Sequence, residues 1–117
     1  MAARENMFAD IDRMDAGAWA AYLAPDVTMR FGNADEVHGR EACRDALQSF
    51  YDMIGGLRHE VVEQWEQPPA TIVQADVTYT RQDRREVTVP VVTIYRVNRE
   101  DQIADYRVFI DLAPVFA

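Results

Sequence analysis

Residues 23–54 read LAPDVTMRFGNADEVHGREACRDALQSFYDMI, and the order of elements within that stretch decides the fold. Val27, Met29 and Phe31 alternate with Thr28 and Arg30, the period-two pattern of a strand with one apolar face. Pro25 disfavours helical backbone at Ala24, so any preceding helix ends there. Gly32–Asp35 has turn chemistry, and Glu36–His38 is expected as a short return strand. From Arg40 to Met53 the apolar period becomes helical. Cys43, Ala46, Leu47, Phe50 and Ile54 form one stripe, with Glu41, Arg44, Asp45, Gln48 and Asp52 outside it. Gly55-Gly56 stops the helix.

Upstream of this stretch the chain reads as helix. Met7, Ile11 and Met14, with Phe8 beside them, predict a helix over Ala3–Met14. Asp15 then caps a shorter helix over Ala16–Leu23, facing inward through Trp19, Ala20 and Leu23. Downstream it reads as strand, over His59–Glu66, Thr71–Arg81, Glu86–Val97 and Gln102–Leu112. In the second of these Val73, Ala75, Val77 and Tyr79 alternate cleanly with polar residues. The third is apolar on both faces, with Val87, Val89 and Val91 backed by Val92 and Ile94. It is therefore expected at the centre of the sheet or in a subunit interface. Pro90 within it predicts a bulge or an edge position. The layout is α+β: three helices packed on a curved antiparallel sheet, in a single domain over residues 1–117. Three helices are too few to cover a long curved sheet, so a cavity is expected.

Composition excludes several partners. The net charge of −8 and the absence of any long basic stretch argue against nucleic acid and against an anionic membrane surface. No apolar run approaches the ~20 residues that span a bilayer. The lone Cys43 sits on an apolar helix face and reads as a small buried hydrophobe in a reducing, cytoplasmic setting. Two distant histidines and one cysteine give no zinc-ligand spacing, and neither metal nor cofactor is expected. All twelve basic residues are arginine, the composition of a GC-rich bacterial genome.

The kinked helix pair around MDAGAWAAYLAPDV, the helix start HGREACRDAL and the closing DQIADYRVFIDL together resemble the nuclear transport factor 2-like superfamily, in its SnoaL-like branch. The resemblance covers roughly Met7 to Leu112. It implies a cone-shaped α+β barrel with a pocket at its open end, and a homodimer that pairs sheet faces. It does not imply one activity, because the fold hosts isomerases, cyclases, hydrolases, dehydratases and non-catalytic binders. In ketosteroid isomerases the position matching Phe31 holds the carboxylate that moves the proton. Their oxyanion tyrosine matches Asp10, and their protonated acid matches about Thr93. In SnoaL-like cyclases and limonene-epoxide-hydrolase relatives a catalytic aspartate matches Val108. Arg107 and Asp105, by alternation, point away from that face. The acids of all these templates are missing.

What remains is an apolar and aromatic lining. Strand parity places Val108 and Ile110 on the inner face, with Val91, Thr93 and Tyr95, then Val77 and Tyr79, then Met29 and Phe31. The helices add Met7, Ile11, Trp19 and Phe50. Such a wall suits a small apolar molecule, bound in the cone with proton-transfer chemistry of the isomerase, cyclase or dehydratase type. The candidate bases are Asp10, with its pKa raised by burial, and His59; the candidate hydrogen-bond donor is Tyr106. The alternative is a non-catalytic dimeric module whose residues close-pack and leave a vestigial pocket.

Overall fold

The computed structural model describes residues 6–117. Helix α1 spans Met7–Asp12 and α2 spans Ala16–Ala20, in series at a kink where Met14 takes a positive φ. The expected helix start at Ala3 lies outside the described residues. Strand β1 covers Leu23–Phe31, β2 Val37–His38, and helix α3 Arg40–Tyr51. Strands β3 (Gly56–Gln67), β4 (Ala70–Thr80), β5 (Glu86–Val97) and β6 (Ile103–Phe109) follow, then a short helix α4 at Ala113–Phe116. Helix α4 makes a fourth helix, where three were expected from the sequence.

The six strands form one sheet in the order β2-β1-β6-β5-β4-β3. The last four are the expected antiparallel meander. The sheet is not antiparallel throughout, because β1 runs parallel to β6. Register shifts place extra residues in β1, β3 and β6, and such bulges increase local twist and bend a strand. Strand β1 also begins four residues before the expected Val27. Leu23 pairs with Ile103, the Ile103 N–H donates to the Tyr22 carbonyl, and the Arg40 guanidinium donates to the Leu23 carbonyl. These bonds satisfy a backbone that local propensity alone would leave as the end of a helix.

Pro90 sits where β5 pairs β4 alone, since β6 joins β5 only from Val92 onward. A residue with no N–H to donate is tolerated on that locally open side. Gly39, at φ +96° just before α3, lets the chain turn from β2 into the helix at a backbone angle that L side chains rarely adopt. The core lies between the helices and the inner sheet face, where Met7, Trp19, Leu23, Tyr51 and Val77 are all buried. Tyr51 donates to the Ile11 carbonyl at 3.0 Å and ties α3 to α1. Among the described residues no helix is long and apolar enough to cross a membrane.

Candidate functional site

Two neighbouring cavities lie between the helices and the sheet and share part of their walls. The outer one measures about 820 Å³ and lies between α3, the turn after β1 and the segment after β6, with Phe31, Phe50, Met53, Ile110 and Leu112 in its wall. The inner one measures about 40 Å³ and lies deeper, among Trp19, Tyr51, His59, Tyr79, Thr93 and Tyr106. Met29, Phe31, Leu47 and Phe50 belong to both walls. The rings of Phe31 and Phe50 stand 5.1 Å apart at the junction, and Phe50 also meets Tyr79 and Phe116 edge-on.

His59 lies on β3, opposite Val77, and alternation therefore turns it inward. Its Nδ1 sits 2.6 Å from the Asp12 carboxylate, whose other oxygen accepts the His59 backbone N–H at 3.0 Å. An ionised carboxylate only accepts, so Nδ1 carries a proton, and in the neutral imidazole it is Nε2 that has the lone pair. The Phe8 ring, 4.8 Å away, covers the imidazole, whose side chain is 10% exposed. An inward-facing histidine held in one tautomer by a carboxylate is the orientation a general base requires.

Asp10 differs from its sequence expectation. Its carboxylate accepts the Tyr22 hydroxyl at 2.8 Å and pairs with Arg13, and it lines neither cavity. The Tyr22 bond, helped by Arg13, holds its pKa below the ordinary value despite partial burial. It is thus a tied, ionised group at the junction of α1 and α2 and not a desolvated base. The carboxylate of that helix that reaches the cavity wall is Asp12, through His59.

Burial pushes the phenols of Tyr51, Tyr79 and Tyr106 well above their ordinary pKa. They stay neutral donors across the physiological range. Tyr106 packs edge-on against Trp19 at 5.3 Å and stacks with Tyr95 at 6.3 Å. Burial also raises the Cys43 pKa, leaving an inert thiol beneath α3.

Of the remaining expected lining residues, Ile11, Trp19, Met29, Phe31, Phe50, Tyr79, Val91, Thr93 and Val108 line the inner cavity, and Ile110 the outer one. Met7, Val77 and Tyr95 do not line either; they are packed into the core. Sequence reasoning missed Asp12, Leu47, Tyr51 and Leu57. Tyr51 follows Phe50 on the flank of the α3 stripe, which is the one signal that points to it. Arg107 and Asp105 pair with each other on the outer side, where Arg107 also bonds Glu36. Among the described residues, no group of three or more His, Cys, Asp or Glu is placed to hold a metal ion.

The family model for the SnoaL-like domain matches residues 5–106, a span that holds Asp12, Trp19, His59 and Tyr106. The chain belongs to the SnoaL-like family. No curated protein matches it significantly by sequence. Among solved structures, it is similar to a nuclear transport factor 2-like protein of unknown function from Burkholderia pseudomallei. That match has a TM-score of 0.88 at 19% identity, over 99% of this chain and 93% of that one. A protein described as a SnoaL-like polyketide cyclase from Jannaschia matches with a TM-score of 0.84 at 20% identity, over 97% and 86% of the two chains. An LEH-like epoxide hydrolase of M. tuberculosis matches at 0.78 and 15% identity, over 97% and 84%. At these identities the likeness establishes the fold of a SnoaL-like domain and no activity.

Proposed function

We propose that this SnoaL-like protein binds a small, largely apolar molecule in its cone and moves a proton on it, with His59 Nε2 as the base. The observation that carries this reading is the Asp12–His59 pair at the wall of an aromatic cavity. Asp12 orients the imidazole and stabilises the imidazolium that forms as the proton is taken. Tyr106 is the neutral donor that meets the charge developing on the ligand oxygen. The acids used by the family's isomerase, cyclase and hydrolase templates are replaced at Phe31 and Val108, so the base comes from a different strand. Isomerisation, cyclisation and dehydration all contain such a step.

The test is deuterium exchange at the carbon next to the carbonyl of small apolar ketones such as 2-acetylnaphthalene, followed by NMR in D2O. The protein is expected to accelerate exchange, His59→Gln to abolish the acceleration, and Asp12→Asn to lower it by about 10²-fold. Exchange at full rate in the His59→Gln protein removes the assignment.

The size of the inner cavity, about 40 Å³, favours a second reading, in which the cone binds without reacting and the domain works as a dimeric module. In both readings the partner copy docks on the outer sheet face. There Trp65, Ile72 and Ile94 form one cross-strand row, and Val92 and Phe109 lie in the next. Ketone binding without exchange supports this second reading.

A further inference from the structure

We infer that the inner cavity is a subsite for one neutral acceptor oxygen, a carbonyl above all, with the Trp19 indole N–H and the Tyr106 hydroxyl as its donors. The inference rests on the proposed reading of the cone as a binding site and adds what its blind end selects. The ligand's apolar body then lies in the outer cavity, and its oxygen-bearing tip points toward the wall the two cavities share, at Met29, Phe31, Leu47 and Phe50.

The indole carries the argument. Trp19 is 1% exposed, and its Nε1 is the one fully buried side-chain nitrogen or oxygen among the described residues without a hydrogen-bond partner. Buried indole N–H groups normally have an acceptor, so an unmet one at a cavity wall calls for a bound group. The indole and the Tyr106 ring meet edge-on, with their centroids 5.3 Å apart. Tyr51, on the same cavity, is already committed to the Ile11 carbonyl.

Size and charge restrict the tip. An inner space of about 40 Å³ takes one small group, while the neighbouring outer space of about 820 Å³ takes a ring system. No arginine lines the inner cavity, the chain has no lysine, and His59 in its wall is already held by the Asp12 carboxylate, so a carboxylate tip would be buried without a free cation. An indole N–H only donates, which selects an acceptor over an ammonium or amide N–H.

The test uses 2-naphthaldehyde, its hydrocarbon isostere 2-vinylnaphthalene, and 2-naphthoate, titrated into the whole chain and followed by NMR. With no lysine present, the aldehyde meets no side-chain amine. The readout is the Trp19 indole N–H resonance, told apart from that of Trp65 with a Trp65→Phe protein. The aldehyde is expected to bind about tenfold tighter than the alkene and to move the Trp19 resonance downfield. The alkene leaves that resonance in place, and the naphthoate binds most weakly. Trp19→Phe removes the aldehyde's advantage and keeps alkene affinity. If that variant does not fold, the resonance shift in the unmodified protein decides. Equal binding of aldehyde and alkene, or aldehyde binding with an unmoved Trp19 resonance, overturns the subsite. Naphthoate bound as tightly as aldehyde overturns its neutrality. A His59→Gln protein that still prefers the aldehyde keeps the subsite even where the proton-transfer reading has failed. No binding of any probe overturns the cone as a binding site and both readings with it.

Discussion

Two aspartates two residues apart on α1 have opposite fates. Asp10 is held by Tyr22 and Arg13; Asp12 turns to β3 and fixes His59. The consequence for Asp10 is one of stability. Its pKa is depressed in the folded state, so its contribution is full above the unfolded-state value of about 4 and disappears as pH falls through the lower folded value. Asp10→Asn is therefore expected to lower Tm near pH 7, with the gap to the unmodified protein narrowing below about pH 4. Thermal unfolding across pH 2–8 measures it, and a gap that widens in acid contradicts the assignment. Exchange chemistry at His59 is expected to survive the change. The sequence made His59 legible because strand parity is local. It could not assign its partner, because Asp10 and Asp12 are both acids beside Ile11, and the choice is made by a contact across 47 residues.

At the scale of elements, the short helix α2 matters because it places Trp19 over Tyr106. Five residues make a helix that is marginal alone, so its cap counts. The Asp15 carboxylate accepts the Ala18 N–H at 3.0 Å, the N-cap expected from the sequence. Asp15→Ala is expected to cost about 1 kcal/mol. For a domain of this size that is a fall in Tm of roughly 4 °C. An unchanged Tm would mean that packing alone holds α2. The caps, the α3 stripe and the meander were readable because each follows from residues near in sequence. The early start of β1 was not, because it depends on Ile103 and Arg40, which the chain brings up from far away. Pro90 was readable as a constraint whose solution, a stretch paired on one side only, depended on where β6 ends.

The whole molecule follows from the same division. Helices before strands, with an apolar face on each, imply an α+β layer, and the SnoaL-like fold bears that out. The parallel β1–β6 pair was hidden, since nothing local tells a strand that its Phe31 will meet Val108 so much later in the chain. What the single chain leaves open is its outer face. Phe109 is 56% exposed and Trp65 42%, with Ile72, Val92 and Ile94 on the same side. Contiguous apolar surface of this kind marks an interface more often than a solvated sheet. Arg96 and Arg107, with Asp105 and Glu36, border it with charge. Sedimentation equilibrium is expected to give twice the chain mass of 13.4 kDa. Ile94→Arg places a guanidinium against its own copy at the centre of the face, and like charges brought together there repel. That variant is expected to sediment at the single-chain mass while still binding 2-naphthaldehyde, because Ile94 faces away from the cone. A dimer that withstands Ile94→Arg places the interface elsewhere, and an unmodified protein that is already monomeric removes the dimer from both functional readings.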